Sequence, residues 1–199
     1  MANIIDEPVR GSIGDLRAFQ RSGLDTYRRF IQEDLPGPPI SRLFGMRPTE
    51  VGLGKSTFAM PITPWLEDGF GLYWGGVYAL FADAPLASAL WTALPAGKAV
   101  TTSELSLSFV RPMSRNTSNI IGRAETLHSG SQVGLSMIQI TDQDGRMLAF
   151  GSTRCLITEV SVDTDADLAP PDTGPDHPPD PFFFCVRRRR TVISASMRS

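Results

Sequence analysis

Apolar positions recur along this chain with two different periods, and the change of period separates helices from strands. In residues 13–31 they recur mostly every three to five residues, which predicts an amphipathic helix that ends before a Pro-rich segment. Residues 55–62 are typical of a short strand. Residues 77–94 are apolar around every face except at Asp83 and Ser88, so we expect a helix buried in the middle of a core.

Downstream, the period changes from helical to two. Leu105, Leu107 and Phe109 alternate with polar residues, as in a half-buried strand. Three more strands follow, separated by Gly- and Asp-containing turns, at residues 118–128, 132–141 and 146–158. The order predicts an α+β fold in which a sheet with a four-stranded antiparallel meander wraps around one apolar helix, which Pro85 is expected to bend or interrupt.

Composition divides the chain into three parts. Residues 1–34 form an N-terminal helical extension, and residues 35–158 form the folded domain. Residues 159–199 begin rich in Asp and Pro and are too poor in apolar side chains to form a core, so we expect disorder. Three phenylalanines beside four arginines near the end leave two interpretations open: binding to a membrane surface or acidic partner, or a short tail without a role.

Charge and cysteine content exclude several classes of protein. The 199 residues carry a formal net charge of −2, so no global field attracts nucleic acid. The two cysteines, Cys155 and Cys185, lie far apart with no neighbouring CxxC or Cys/His cluster, which argues against a disulfide framework or a zinc site. With no signal-like N-terminus and no long apolar stretch, we expect a cytoplasmic protein without a membrane span.

Two familiar motifs are incomplete. The sequence GLGKST at residues 52–57 resembles the end of a phosphate-binding loop, but Thr49 stands where the first glycine belongs and a strand pattern follows, so we interpret Gly54 as part of a turn. A GxSxG elbow is missing as well. Of the two histidines, His177 lies in the predicted tail, and His128 is typical of a surface residue at the end of a strand.

The segment YWGGVYALFAD, residues 73–83, is the most informative one. Gly75 and Gly76 stand where a loop enters the apolar helix, so the first backbone N–H groups are free to face a ligand. Asp83 follows Gly76 by seven residues, or about two helical turns, on the same face. A carboxylate in an apolar helix requires a partner or a cleft. The pattern leaves a catalytic role and a bond to a neighbouring loop equally open.

Over residues 35–157 the chain resembles the PaaI-like, phenylacetate-degradation type of hotdog-fold acyl-CoA thioesterases. The resemblance rests on WGGVYALFADAPLASAL, on LPAGKAVTTSELSLSFVRP and on the strand pattern that follows. It implies a sheet curled around a central helix, assembly into dimers that often pair into tetramers, and active sites at the dimer interface. No cofactor or metal is implied.

The resemblance also implies residue roles. Asp83 matches the catalytic carboxylate, which acts as nucleophile or as general base for water. Gly75 matches the glycine whose N–H polarises the thioester carbonyl from the other subunit, and Thr102 matches a Ser/Thr that orients the water or the carboxylate. A thioester needs a nucleophile and an oxyanion donor, whereas its thiolate leaving group needs little acid assistance.

Three further positions belong to the expected substrate site, and two of them depart from the family. Trp74 replaces the histidine of the family's HGG, and Asp68 replaces a common asparagine; with Gly76 they surround the helix entrance. We expect Asp68 to raise a pKa if it is buried with Asp83. Arg111 and Arg115, on either side of Pro112, are candidates for CoA phosphates, although a solvated surface role fits them equally well.

These features predict a thioesterase that hydrolyses an aryl-acyl or medium-chain acyl-CoA as a homo-oligomer. The alternative is a degenerate hotdog protein that binds acyl-CoA or a partner without hydrolysis, motivated by the loss of the family's histidine and asparagine at Trp74 and Asp68. A scaffold role for the dimer is a third reading.

Overall fold

The structure is a computed structural model that describes residues 16–32 and 37–160. One long helix packs against a single sheet, and shorter helical elements accompany it. The helical elements are a 3-10 turn Leu16–Gln20, α1 Gly23–Ile31, α2 Pro39–Phe44, a second 3-10 turn Pro64–Leu66, and α3 Gly75–Thr92. The strands are β1 Arg47–Gly52, β2 Lys55–Pro61, β3 Lys98–Phe109, β4 Asn119–Ser129, β5 Val133–Asp142 and β6 Met147–Glu159.

All six strands pair antiparallel in the order β1-β2-β4-β5-β6-β3. The predicted α+β class with a sheet around a helix is confirmed. The predicted four-stranded meander is wrong, because β3 pairs with β6 and not with β4. Helix α3 carries the chain from β2 across the sheet to its far edge, and β4 returns to pair with β2. Only β4, β5 and β6 are a meander.

Helix α3 lies in the core, as its apolar surface predicts. Phe81, Leu86 and Leu90 are fully buried against the sheet. Gly134 on β5 allows the close approach, since a Cβ there would lie 2.4 Å from the Leu90 side chain. The expected interruption at Pro85 is wrong: the helix is continuous through it.

A side chain from the sheet stabilises the helix near this proline. The buried Ser56 on β2 donates a hydrogen bond of 2.7 Å to the Pro85 carbonyl. Proline removes one helical N–H and one helical hydrogen bond. Such tertiary bonds and the burial of the ring favour the helical conformation here over the local preference of proline.

The N-terminal helical segment is two elements and not one. The helical conformation is interrupted at Arg21 and Ser22. The Ser22 hydroxyl accepts a hydrogen bond of 3.2 Å from the Asp25 N–H and caps α1. Helix α1 then packs on α3. The buried Ser88 Oγ lies 2.5 Å from both the Tyr27 hydroxyl and the Ala84 carbonyl oxygen, so it donates to the carbonyl and accepts from the tyrosine.

Two of the discounted motifs have structural roles. The GLGKST segment forms the turn of the β1–β2 hairpin, where Gly54 has a φ of 69°. The Gly54 N–H donates a hydrogen bond of 3.0 Å to Thr92 Oγ1. The turn interpretation is therefore confirmed. His128 is exposed on β4 beside a bulge, as predicted for a surface residue. Within the described ranges no helix is long and apolar enough to cross a membrane.

Several predictions fall outside these ranges. The expected start of the first helix at Ile13 belongs to them, as do Cys185 and His177 in the C-terminal segment. The described strands extend to Glu159. The folded domain expected over residues 35–158, and its division from the flanking segments, stay predictions.

Candidate active site

The entrance to α3 presents unpaired backbone donors. Trp74 is the N-cap residue, and its side chain makes no capping hydrogen bond. Gly75 and Gly76 therefore occupy the first two helical positions, whose N–H groups have no partner within a helix and lie at the positive end of its dipole. The Phe109 ring covers Gly75 so closely that a Cβ there would lie 3.0 Å from the ring. A larger residue here would have to displace the Phe109 ring slightly.

Asp83 lies two turns further along α3 and is exposed to solvent. Its Oδ1 accepts a hydrogen bond of 2.7 Å from the Thr102 hydroxyl on β3. The pattern had left open whether Asp83 bonds a neighbouring loop; its partner is a strand residue, and one carboxylate oxygen is free of this contact. The structure thus brings together two of the three predicted catalytic residues.

A buried thiol lies behind this pair. Cys155 on β6 is fully buried, and its Sγ is 3.9 Å from Thr102 Oγ1. Burial raises the pKa of the Cys155 thiol, hydrogen bonds from threonine oppose this, and the nearby negative charge of Asp83 raises it further. Since Thr102 donates its proton to Asp83, the protonated thiol can only donate to Thr102.

The glycine donors and Asp83 do not meet within one chain. Eight residues separate Gly75 from Asp83, which corresponds to about 12 Å along the helix axis. A reacting carbonyl must contact both its attacking group and its oxyanion donor within about 3 Å. One copy of α3 therefore cannot supply both groups to the same carbonyl.

Asp68 organises its own loop instead of facing Asp83. Its Oδ1 accepts hydrogen bonds from the Leu72 N–H at 2.9 Å and the Phe70 N–H at 2.8 Å. These bonds hold the pKa of Asp68 below its ordinary value. The bond from the Leu72 N–H lowers this pKa most, and a hydrogen bond from the Trp74 indole lowers it less. The raised pKa is expected only where Asp68 and Asp83 are buried together, and within one chain Asp83 is exposed.

The two candidate arginines lie on the β3–β4 loop, near the entrance to α3. Arg115 is exposed and packs against Gly71. Its Nη2 atom lies 3.9 Å from Oε2 of the Glu67 carboxylate. Arg111 is exposed, and its carbonyl accepts a bond of 3.1 Å from the Tyr78 hydroxyl. Arg115 thus contacts the loop that precedes α3, and Arg111 contacts Tyr78 in the first turn of that helix.

An apolar cleft of about 340 Å³ opens beside the α3 entrance. We call it the Trp65 cleft. It contains the predicted residues Trp74, Gly76 and Asp68, together with residues that the sequence interpretation missed. The additional residues are Phe44, Trp65, Leu66, Glu67, Val77 and Leu80. A tryptophan in the Pro- and Gly-rich segment 63–71 was the available signal, because a large aromatic side chain in such a loop is usually exposed.

A second cavity of about 360 Å³ lies over β1, β2, β4 and β5. It includes the ion pair between Lys55 and Glu125, whose Nζ and Oε1 are 3.4 Å apart, and none of the candidate residues. In the part of the chain that the structure describes, no group of three His, Cys, Asp or Glu side chains could hold a metal ion. Among the described residues, Asp83 and Thr102 form the candidate pair whose contact the structure shows.

Comparison with known proteins agrees with this geometry. Residues 70–149 match the model of the thioesterase superfamily. A Mycobacterium tuberculosis protein named "Putative esterase", found in two strains, is 30% identical over 129 residues, which cover 61% of this chain and 91% of that protein. Its solved structure has a TM-score of 0.57 and covers 62% of this chain and 99% of the other, at 28% identity.

Two structures of more distant sequence have the same fold. The Escherichia coli PaaI protein of the phenylacetic acid degradation operon has a TM-score of 0.60 at 18% identity, covering 72% of this chain and 99% of its own. A thioesterase-like, phenylacetic acid degradation-related protein of Ralstonia eutropha has a TM-score of 0.59 at 23% identity, covering 65% and 98%. The resemblance that the sequence indicated is confirmed, and these two show the hotdog fold.

Proposed function

Because this chain belongs to the thioesterase superfamily, we propose that it hydrolyses an acyl-CoA to the free acid and CoA, with an aryl-acyl or medium-chain acyl group. Family membership indicates hydrolase chemistry in general. The specific observation behind the proposal is the 2.7 Å bond between Thr102 and Asp83, which orients an exposed carboxylate at the surface of an otherwise apolar helix.

The proposed reaction begins at the free oxygen of Asp83. As a general base, the carboxylate accepts a proton from water while the water oxygen attacks the thioester carbonyl carbon. The carbonyl oxygen becomes an oxyanion that accepts a hydrogen bond from the Gly75 N–H. Collapse of the tetrahedral intermediate re-forms the carbonyl and breaks the C–S bond, and the thiolate leaves without prior protonation. Direct attack by Asp83 through an anhydride is the other route to the same products.

The 12 Å gap along α3 supports a composite site. Strand β3 is an edge of the sheet, and it carries Thr102. Pairing of two β3 edges in a dimer would place Asp83 of one subunit across from Gly75 of the partner subunit, which a single chain cannot do. We therefore propose a homodimer with two equivalent sites; whether two dimers associate further is a separate property.

For the CoA portion, we propose that Arg111 and Arg115 bind phosphates. Both side chains are exposed beside the α3 entrance. Guanidinium groups pair with phosphate through two parallel hydrogen bonds. The Arg115 guanidinium is 3.9 Å from the Glu67 carboxylate, and its side chain is largely exposed. Such an ion pair is weak, so a phosphate can compete with Glu67 for the guanidinium.

The test is thiol release from a panel of aryl-acyl and straight-chain acyl-CoAs, with Asp83→Ala and the control variant Asp144→Ala. Asp144 is an exposed carboxylate in the β5–β6 turn, remote in sequence from the site. We expect Asp83→Ala to lose activity about a hundredfold or more, and Asp144→Ala to retain it. Equal activity in Asp83→Ala would reject the assignment.

Silence of the folded wild-type protein across the whole panel would favour the alternative, a hotdog protein that binds without hydrolysis. Trp74 at the N-cap, where the resembling family has histidine, is the feature that motivates this alternative. In that case the double variant Trp74→His, Asp68→Asn should gain activity. A double variant that stays inactive would count against this alternative.

A further inference from the structure

The walls of the Trp65 cleft are apolar and its aromatic side chains are accessible. Trp65 is 67% exposed and Trp74 is 69% exposed, although tryptophan is normally well buried. Val77 and Leu80, about one turn apart on α3, form the wall on the helix side, and Phe44 of α2 also lines the cleft. At about 340 Å³ the cleft is at the lower end of the range for small-molecule sites, which is about 300–1,000 Å³.

The cleft reaches the proposed oxyanion donors. Gly76 lines it and is the second residue of α3, so the unpaired N–H groups of the first helical turn lie at its mouth. An apolar group in the cleft would leave the attached carbonyl beside these donors. The occupant that this geometry fits is the acyl portion of the substrate, and this step rests on the proposed function.

The charge of the cleft adds a restriction. Glu67 and Asp68 both line it. Asp68 is held in its charged form by the N–H groups of Leu72 and Phe70. Glu67 accepts a bond of 3.1 Å from the Tyr73 hydroxyl, and its nearest cation, Arg115, is 3.9 Å away at the exposed rim. A carboxylate that entered would lose water and meet two like charges, both of which are unfavourable.

We infer that the Trp65 cleft is the acyl-binding site, and that it accepts an uncharged apolar acyl group while it rejects an acyl group with a terminal carboxylate. The chemical class of the substrate is thus a thioester of a monocarboxylic acid. The distinguishing residues are Trp65, which supplies contact area, and Glu67, which supplies the repulsion.

Hexanoyl-CoA and adipyl-CoA test the charge preference, because both acyl groups have six carbons and only the second ends in a carboxylate. We expect kcat/KM to be at least about tenfold higher for hexanoyl-CoA, a difference typical of a desolvated like charge. Glu67→Gln keeps the acceptor for Tyr73 but removes the charge, and it should narrow this ratio. Equal kcat/KM for the two thioesters in the wild type would overturn the inference.

Trp65→Ala tests the contact, with Phe70→Ala as its control. Phe70 is in the same loop and is 90% exposed, but it does not line the cleft. Trp65→Ala should raise KM for hexanoyl-CoA about tenfold with a small effect on kcat, since it removes uniform binding, and Phe70→Ala should leave both unchanged. Identical behaviour of the two variants would overturn the assignment of the cleft while leaving the thioesterase intact.

Binding separates this inference from failure of the proposed function. Tryptophan fluorescence of Asp83→Ala is titrated with each CoA ester; Trp91, whose indole is bonded to the Lys98 carbonyl at 2.9 Å, lies outside the cleft. Quenching by hexanoyl-CoA that exceeds quenching by adipyl-CoA and weakens in a Trp65→Ala background supports the cleft even if no thioester is hydrolysed. Absence of such quenching overturns it.

Discussion

The carboxylate of Asp68 holds the loop before α3 in shape through two backbone N–H groups, those of Phe70 and Leu72. Hydrogen bonds to an ionised acceptor are stronger than those to a neutral one. The same loop carries Trp65 and Trp74 into the cleft. Asp68 therefore acts on the site through the backbone that it positions.

Asp68→Asn should destabilise the loop near neutral pH, although asparagine is the residue that the resembling family commonly has. Because the pKa of Asp68 is lowered in the folded state, its stabilising contribution is present above the ordinary carboxyl value of about 3.9 and is lost as the pH falls through the lower folded-state value. The difference in urea midpoint between wild type and Asp68→Asn should thus shrink below about pH 4. A difference that stays constant from pH 7 to pH 2.5 would contradict the charge-based account.

Sequence reasoning succeeded for single residues where the motif itself contains the contact. The pairing of Asp83 with Thr102 followed from the family resemblance, and the 2.7 Å bond confirms that they are neighbours. It did not indicate that Asp68 bonds its own loop, because the partners of Asp68 are backbone groups that every residue carries and no side-chain pattern records them. Trp65 was missed for a related reason: its role depends on a cleft between two separate elements.

At the scale of elements, the packing of helix α1 on α3 depends on the close approach of Gly23 to the backbone of Trp91. At Gly23 an added Cβ would lie 2.2 Å from the carbonyl oxygen of Trp91 and 2.5 Å from its carbonyl carbon, and backbone atoms cannot rotate away. Phe19 and Tyr27 pack on the Trp91 ring at centroid distances of 5.3 and 5.7 Å. The extension and the central helix therefore fit only with glycine at this crossing.

Gly23→Ala should force α1 away from α3 and reduce the free energy of unfolding by about 1–3 kcal/mol, the usual cost of overpacking. Gly69→Ala is the matched control, because nothing lies within 4 Å of a Cβ at that position. Denaturant unfolding followed by tryptophan fluorescence and circular dichroism measures both. A Gly23→Ala variant as stable as Gly69→Ala would mean that α1 is only loosely attached.

The elements that could be predicted are those with a strong period. The core helix and the strands of the second half have long apolar or alternating patterns, and the structure contains them within a few residues of the expected bounds. Strand β1 was missed because Arg47–Gly52 has no buried residue, contains Pro48 and has a bulge at Thr49. The break between the 3-10 turn and α1 depends on the Ser22 cap, which interrupts a continuous apolar stripe.

At the scale of the molecule, the sheet has two edges, β1 and β3, and only β3 is long. Long edges with free N–H and C=O groups are templates for pairing. No local pattern could have placed β3 there, because an alternating strand pairs equally well with any neighbour. The position of β3 follows from the crossing of α3, which is a property of the whole chain.

The proposed dimer can be weakened at this edge. Thr101 and Ser106 on β3 are exposed, and replacing both by Lys should add four like charges to the two-fold interface. We expect the wild type to sediment as a dimer at micromolar concentration, and the double variant to shift toward monomer and to lose thioesterase activity with it. Gln139→Lys, exposed on the inner strand β5, should do neither. A monomeric, active wild type would refute the composite site.

The pairing of β3 with β6 also governs when the site can form during synthesis. Asp83 and Thr102 are close in sequence, but among the described strands the one that carries Thr102 pairs only with Met147–Glu159, which is synthesised after the other described strands. In a nascent chain, β2, β4 and β5 can pair early, whereas β3 can pair only after β6, which places Glu159 opposite Lys98, has been synthesised. The contact between Asp83 and Thr102 therefore becomes secure only when the domain is complete, and truncated products retain a partial sheet without a fixed carboxylate.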